Sequence, residues 1–210
     1  MSRIESNWQY AEQFPVEPEA LSRARRLSLE LGIEPVSRAV AAHLTSIALL
    51  TNAQAICELG TGVGVSGLSL LRHNPRAHLT SIDIEDEYHR HARQVFAADG
   101  IAGARLRLIT GDAHQILPRL NHDAYDLMVI DADPEGLLEY IEYALQVVRP
   151  GGTVLVPNAL WRGKVADPAA RDDVTVSFRD LLQTVADSPA IAPALSPVGD
   201  GLLTLTRLTA

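Results

Sequence analysis

Four glycines, at positions 60, 62, 64 and 67, stand in a short stretch that follows an apolar run and Glu58. Glycine has no Cβ, so a backbone rich in it can adopt left-handed conformations and come close to a ligand. An ordinary turn needs only one or two such residues, so four indicate more than a turn. The apolar runs on either side predict a strand, a glycine-rich loop and a helix, a layout that binds cofactors.

One alignment of these glycines fits a dinucleotide site. Gly62, Gly64 and Gly67 match the GxGxxG pattern, in which backbone amides bind a pyrophosphate. Asp83 follows at about the distance of the carboxylate that binds the ribose hydroxyls in such sites. This alignment predicts an oxidoreductase that uses NAD or NADP, although GxGxxG alone is a weak signal.

A second alignment begins two residues earlier and consists of Glu58, Gly60, Gly62 and Gly64. It resembles the glycine-rich motif of class I S-adenosylmethionine-dependent methyltransferases. S-adenosylmethionine carries a sulfonium and an ammonium group and no phosphate, so a carboxylate beside the loop would attract it and would repel a pyrophosphate. Glu58 therefore favours the methyl donor over the dinucleotide.

The elements that would position this loop alternate regularly along the chain. Apolar strands separated by helical segments indicate βαβ crossovers and a parallel sheet with helices on both faces. A Gly-Asp-Gly link at 199–201 joins the last two apolar runs, which predicts a hairpin and an antiparallel final strand. The predicted strands lie at 55–59, 79–84, 106–110, 125–131, 153–156, 194–198 and 202–208, and the predicted helices at 38–50, 65–71, 87–98, 113–120, 134–148 and 168–187.

The segment before this alternation differs in composition. Residues 1–34 carry aromatic side chains in a polar stretch and a predicted helix from Pro18 to about Leu31, closed by Gly32. We expect this N-terminal helical extension to cap the fold or to form a contact between two copies. Ser37 is a suitable N-cap for the next helix. The resemblance to the class I methyltransferases assigns residues 35–210 to the S-adenosylmethionine-dependent methyltransferase domain.

Composition and charge limit the classes of partner. The chain has 210 residues and a net charge of −8, which argues against nucleic acid because phosphate binding requires a basic face. The first ten residues are polar, and no apolar stretch is long enough to cross a membrane. Cys57, the single cysteine, is expected to be a small buried side chain. We therefore expect a cytoplasmic protein with no membrane partner.

Further motifs narrow the resemblance to the catechol- and caffeoyl-CoA-type bacterial O-methyltransferases, methyltransferase family 3. They are Glu-Leu-Gly-Thr-Gly at 58–62, Ile-Asp-Ile at 82–84, Tyr-Asp-Leu-Met-Val-Ile-Asp-Ala-Asp at 125–133, Arg-Pro-Gly-Gly at 149–152, Val-Ala-Asp-Pro at 165–168 and Pro-Val-Gly-Asp-Gly-Leu-Leu at 197–203. The resemblance covers about residues 35–210. It implies a Rossmann-like α/β fold with a seven-stranded, mostly parallel sheet and a homodimer. It also implies methyl transfer from S-adenosylmethionine to a hydroxyl oxygen of a small acceptor, aromatic acceptors included.

The same resemblance assigns contacts to the cofactor. Val36 would flank its methionine end, and Asp83 and Ile84 would bind its ribose and adenine. Asp131 and Asp133 would lie at the mouth of the active site. The full predicted set is Val36, Glu58, Gly60, Thr61, Gly62, Gly64, Ser66, Asp83, Ile84, Asp112, Ala113, Asp131 and Asp133.

The chain departs from the family at its metal site. Members bind Mg²⁺ through an aspartate after the fourth strand and an Asp-Asn pair after the fifth, and a lysine near the first aspartate acts as base. Here Asp131 and Asn158 match two of these ligands, but Pro157 replaces the second aspartate and Pro134 replaces the lysine. Since Mg²⁺ prefers several oxygen ligands, carboxylates among them, we expect at most weak metal binding by Asp131 and Asn158.

Asp131 is the best candidate for the base that removes the acceptor's proton, because a partly desolvated carboxylate at a strand end has a raised pKa. His114 is a weaker candidate, and both it and His89 are expected to be exposed surface residues. Trp161 would either wall an aromatic pocket or pack elsewhere. Besides the oxidoreductase, a cofactor-binding regulatory protein without catalysis is an alternative, since the lysine and one aspartate are missing.

Overall fold

The computed structural model describes residues 3–209. Its helices are α1 (Arg3–Gln13), α2 (Glu19–Glu30), α3 (Arg38–Leu50), α4 (Val65–Leu71), α5 (Asp86–Ala98), α6 (Ala113–Ile116), α7 (Leu137–Val147) and α8 (Asp173–Asp187). Its strands are β1 (Ala55–Leu59), β2 (His78–Asp83), β3 (Leu106–Thr110), β4 (Tyr125–Ile130), β5 (Val148–Val156), β6 (Ile191–Ser196) and β7 (Leu202–Arg207). Short 3-10 turns occupy Gly103–Arg105, Leu117–Arg119, Pro134–Gly136 and Lys164–Ala166.

The strands form one seven-stranded sheet in the order β3-β2-β1-β4-β5-β7-β6. Strands β1 to β5 pair in parallel, while β7 is antiparallel to both β5 and β6. The strand order reverses between β1 and β4, and at such a point the loops after neighbouring strands diverge and leave a crevice for a ligand. The predicted mostly parallel sheet with an antiparallel end is confirmed.

Two apolar cores cover the two faces of this sheet. Side chains alternate along each strand, so Leu127 and Val129 enter one core while Met128 and Ile130 enter the other. Helices α2 to α5 contribute to the first core, and α7 and α8 contribute to the second. The prediction of helices on both faces is therefore confirmed, and the sheet is held rigidly enough to fix the loops at its edge.

The start of α8 differs from the prediction. The prediction that a helix begins at Pro168 is wrong, because the Asp167 carboxylate accepts a hydrogen bond from Ala169 N, two residues on, and closes a local turn. Asp172 is the true N-cap, since its carboxylate accepts from both the amide and the hydroxyl of Thr175. The neighbouring prediction at Ser37 is confirmed, with Val40 N donating to its hydroxyl at 3.2 Å.

The first strand of the terminal hairpin is displaced from the prediction at 194–198. It spans Ile191–Ser196, and its side chains at 192–195 are exposed. Register is fixed by a face that is buried, and this strand has little buried surface to fix it. The sequence therefore predicts the hairpin but not its register.

The N-terminal segment contains a helix that its polar sequence does not predict. Helix α1 contributes no buried residue, whereas α2 places Leu21 and Ala24 in the first core. The boundary between residues 34 and 35 stays a prediction. Within residues 3–209, no helix is both long and apolar enough to cross a bilayer.

Candidate active site

A cavity of about 570 Å³ opens where the strand order reverses, between the ends of β1, β2 and β4. Its volume is in the range of small-molecule sites. The predicted residues that line it are Val36, Gly60, Thr61, Gly62, Ser66, Asp83, Ile84, Asp112, Ala113, Asp131 and Asp133. Among the described residues, Glu58, Gly64 and the metal candidate Asn158 are not part of the lining.

The glycine loop lies directly against the end of β4. Asp131 N donates a hydrogen bond to Leu59 O at 2.9 Å, which joins the two chain segments just beyond the sheet. Gly60 has a φ of +86°, and a Cβ there would lie 1.8 Å from Asp131 O. Only glycine fits such a position. The missing side chain thus allows the Asp131 backbone to approach the loop.

Asp83 ends β2, and two backbone amides fix its carboxylate. Gly62 N donates to Oδ2 at 2.9 Å, and Glu85 N donates to Oδ1 at 3.0 Å. Each carboxylate oxygen can accept a second hydrogen bond, so the group can still bind a diol that lies in the cavity. Because the amides hold it in place beforehand, little ordering is required when a ligand binds.

Asp131 is half-buried at the rim of the cavity and has a raised pKa. Desolvation by burial raises the pKa of Asp131 from 3.8 to about 6, with the hydrogen bond from Asn158 lowering it and the charge of Glu34 raising it. Asn158 Nδ2 donates to Asp131 Oδ1 at 3.4 Å. A carboxylate with this pKa is mostly ionised at neutral pH and is a stronger base than a free aspartate.

Glu58 does not face the cavity. Its side chain is fully buried, and Ser81 Oγ donates a hydrogen bond to Oε2 at 2.6 Å. Burial raises the pKa of Glu58 from 4.5 to about 7, and the hydroxyls of Ser66 and Ser81 lower it. The Glu58 carboxylate is thus separated from the cavity by the glycine loop. A direct contact between Glu58 and a cationic cofactor stays a prediction.

Asp112 and Asp133 line the cavity and also cap turns. Asp112 Oδ1 accepts a hydrogen bond from His114 N at the start of α6. Asp133 Oδ1 accepts one from Glu135 N, with Pro134 at the first position of its 3-10 turn. This is the capping arrangement that Asp-Pro predicts, so both carboxylates have a structural role whether or not they bind a ligand.

A histidine–tyrosine pair completes the cavity wall. The rings of His114 and Tyr140 lie 4.7 Å apart, with Tyr140 Oη 3.1 Å from His114 Nε2, while His114 Nδ1 lies 3.1 Å from Glu139 Oε2. His114, expected on the surface, has a side chain that is 38% exposed, and it also lines the cavity. The sequence does not single out Tyr140, because its spacing on α7 is that of an ordinary core residue.

The packing of Trp161 and His89 decides two further expectations about their positions. Trp161 stacks on Phe178 with ring centroids 5.1 Å apart and is not among the lining residues, so it packs outside the cavity. His89, expected on the surface, is 1% exposed and lies between Thr61 and Thr110. The polar sequence of α5 does not predict that His89 is buried, because the partners of His89 are hydroxyl groups from other elements.

The match to known proteins spans almost the whole chain. A family model described as O-methyltransferase matches residues 15–208. The chain belongs to this O-methyltransferase family. A protein of Mycobacterium avium (strain 104) that carries the name "Putative O-methyltransferase" is 42% identical over 207 residues, which cover 98% of this chain and 93% of that protein.

Solved structures agree with this assignment. A protein of Corynebacterium glutamicum has a TM-score of 0.89 at 27% identity, covering 100% of this O-methyltransferase and 99% of that chain. TomG, an O-methyltransferase from Streptomyces achromogenes solved in complex with S-adenosylmethionine, has a TM-score of 0.83 at 26% identity and full coverage of both chains. The fold is thus the class I methyltransferase fold.

In this O-methyltransferase the side chains near Asp131 do not suit Mg²⁺. Asp131 and Asn158 supply one carboxylate and one amide, and Pro157 supplies no ligand. Across residues 3–209, no three or more His, Cys, Asp or Glu side chains are grouped so that they could hold a metal. Because a hard divalent ion prefers several oxygen ligands, this donor set does not fit it.

Family membership also decides between the alternative functions. The O-methyltransferase family transfers methyl groups, so the hypothesis of a nicotinamide-dependent oxidoreductase is wrong. The hypothesis of a regulatory protein without catalysis is wrong for the same reason. The glycine pattern was compatible with both cofactors, and the antiparallel β7 was the feature of the fold that distinguished them.

Proposed function

We propose that this O-methyltransferase transfers the methyl group of S-adenosylmethionine to a hydroxyl oxygen of a small acceptor, aromatic acceptors included, with Asp131 as the catalytic base. The observation that carries the proposal is the position of Asp131. It is a half-buried carboxylate at the cavity rim, held beside the glycine loop through its backbone. An acceptor oxygen in the cavity would lie between this base and the methyl donor.

The proposal positions the cofactor along the glycine loop, with its ribose hydroxyls hydrogen-bonded to Asp83. The charge of the cavity supports a cationic ligand. Apart from His114, every side chain of the lining that can carry a charge at neutral pH is a carboxylate: Glu34, Asp83, Asp112, Asp131 and Asp133. Carboxylates attract the sulfonium and ammonium groups of S-adenosylmethionine and would repel a pyrophosphate. TomG, of the same fold, was solved with that cofactor.

The reaction is a displacement at the methyl carbon. The acceptor oxygen attacks in line with the S–C bond, whose electron pair returns to sulfur and leaves S-adenosylhomocysteine. The hydroxyl proton passes to the Asp131 carboxylate. Alignment of donor and acceptor supplies a large part of the rate enhancement, and a positioned base contributes about 10²–10⁴-fold.

Turnover with a panel of acceptors tests this proposal. The protein is incubated with S-adenosylmethionine and phenols, catechols or aliphatic alcohols, with EDTA or with Mg²⁺, and products are identified by mass spectrometry. We expect an O-methylated acceptor and an equal amount of S-adenosylhomocysteine, at a rate that EDTA does not change. Methylation only at nitrogen or sulfur, or activity that requires Mg²⁺, would contradict the proposal.

A further inference from the structure

A continuous chain of hydrogen-bonding side chains runs beneath the glycine loop. Its members, in order, are Glu58, Ser81, Thr61, His89, Thr110 and Asp86. The successive distances between their polar atoms are 2.6, 2.6, 3.0, 3.0 and 3.2 Å. The first four side chains are at most 2% exposed. Buried polar groups that are linked in series by hydrogen bonds favour a single local geometry.

The supply of protons determines the direction of these bonds. Ser81 Oγ donates its only proton to Glu58 Oε2, so Ser81 must in turn accept from Thr61. Thr61 has then given its proton away and must accept from His89. The Nε2 atom of His89 therefore carries a proton and donates it to the Thr61 hydroxyl.

The hydrogen bond at Nδ1, on the opposite side of the His89 ring, does not change the bond from Nε2 to Thr61. Burial lowers the pKa of His89, which favours the neutral imidazole. In the neutral ring, Nδ1 accepts the single hydroxyl proton of Thr110, which then cannot donate to Asp86. In the charged ring, Nδ1 donates to Thr110, which then donates to Asp86. The Nε2–H group points to Thr61 in both forms.

We propose that His89 is a positioning residue for the cofactor and that it holds the Thr61 hydroxyl, and with it the glycine loop, from behind. Thr61 lines the cavity, and the amide of the next residue, Gly62, is tied to Asp83. The loop is thus anchored at two consecutive residues. His89 is not among the lining residues, so it acts through Thr61. The inference rests on the proposed placement of the cofactor along this loop.

Two substitutions of similar polarity distinguish a role of His89 in hydrogen bonding from a role in packing. His89→Gln can place its amide nitrogen near the position of Nε2 and keep the donor to Thr61. His89→Asn reaches only the position of Nδ1 and faces Thr110. By titration calorimetry with S-adenosylhomocysteine, we expect binding within about threefold of wild type for His89→Gln and about tenfold weaker binding for His89→Asn, the loss of one buried hydrogen bond. His91→Asn, half-buried on the same helix, is the matched control and should leave the affinity unchanged.

A double-mutant cycle tests the route through Thr61. Thr61→Val removes the hydroxyl and nearly keeps the shape of the side chain, so it should weaken binding about as much as His89→Asn. Because both changes break the same contact, the double variant should bind no more weakly than either single variant. If His89→Asn fails to fold, Thr61→Val and His89→Gln still decide the question: the first should lose affinity and the second should keep it.

Several outcomes would overturn the inference. Equal affinities for the Gln and Asn variants would show that only packing matters, and additive losses in the double variant would show that Thr61 and His89 act separately. Asp83→Ala distinguishes this failure from failure of the proposed function. If Asp83→Ala weakens binding while His89→Asn does not, only the role of His89 is wrong. If neither weakens it, the cofactor is not bound along this loop.

Discussion

At the scale of single residues, the buried Glu58 and the half-buried Asp131 are carboxylates in different surroundings. Glu58 and Asp131 both have a raised pKa because burial disfavours their charged forms. Asp131 reaches the rim of the cavity, where a raised pKa suits a base. Glu58 does not line the cavity and accepts a hydrogen bond from the Ser81 hydroxyl. Their surroundings, and not their residue type, therefore assign the roles.

Asp83→Ala should weaken the binding of S-adenosylhomocysteine by more than about 1 kcal/mol, because it removes charge-assisted hydrogen bonds to the ribose. The substitution also removes the acceptor of the Gly62 amide, which donates a hydrogen bond to Asp83 in the folded protein. Calorimetric titration measures the dissociation constant. Asp180→Ala, on the exposed face of α8, is the control and should bind normally. An unchanged dissociation constant for Asp83→Ala would refute the ribose assignment.

Glu58→Gln should remove a pH dependence of stability. The pKa of Glu58 rises from 4.5 to about 7 on folding, so the folded state binds this proton more tightly than the unfolded state. Its stabilising contribution is complete below pH 4.5 and is lost as the pH rises through 7, by about 3 kcal/mol at most.

Urea unfolding of both proteins at pH 5 and pH 8 measures this effect. The wild-type free energy of unfolding should fall more steeply with pH than that of Glu58→Gln, in which the side chain cannot ionise. Contributions from groups that do not interact with Glu58 are common to both proteins and cancel in the comparison, whereas Asp131 and Asp83 are coupled to Glu58 through their charges. Parallel pH dependences would show that Glu58 is not protonated preferentially in the folded state.

At the scale of the elements, the glycine loop and most strands were predictable from the sequence, and the polar partners of the loop were not. β1, β3 and α4 lie where apolar runs and glycines predict them. These signals are local in sequence. The burial of His89 depends on hydroxyls of Thr61 and Thr110, which come from other elements, so no local pattern reveals it. Tyr140 and the register of β6 escaped prediction for the same reason: tertiary contacts determine them.

Gly60→Ala should damage the junction between the glycine loop and β4. A Cβ there would lie 1.8 Å from the Asp131 carbonyl oxygen, and the φ of +86° disfavours alanine. We expect a loss of at least about 1–2 kcal/mol in the free energy of unfolding, together with loss of cofactor binding. Gly103→Ala is the control, because nothing lies within 4 Å of its added Cβ. Equal stability of the two variants would contradict the close approach of loop and strand.

At the scale of the whole molecule, a net charge of −8 is accompanied by a cavity lined with carboxylates. The sequence alone gives the sign of the net charge but not its concentration at one edge of the sheet. Helix α1 adds the exposed apolar side chains of Trp8 and Tyr10, and Phe14, directly after the helix, adds another. They are compatible with the homodimer that the family resemblance implies, which stays a prediction.

The acidic cavity should discriminate between acceptors by charge. Glu34 and Asp131 both line the cavity, and their charges would repel an acceptor that carries a carboxylate or a phosphate. We expect kcat/KM to be about tenfold or more lower for 3,4-dihydroxybenzoate than for catechol at low salt, with the difference reduced by salt. Glu34→Gln should narrow the difference, whereas Glu142→Gln, away from the cavity on α7, should not. A preference for the anionic acceptor would contradict this account of the cavity.

The role of Asp131 as base is tested most directly by the dependence of kcat/KM on pH. With a pKa of about 6, the carboxylate is protonated and inactive at lower pH, so the wild-type rate should fall about tenfold per pH unit below that value. Asp131→Asn should be slower by about 10²–10⁴-fold at neutral pH and should lack this acidic limb. A wild-type rate in Asp131→Asn, or an unchanged acidic limb, would contradict the assignment of Asp131 as the base.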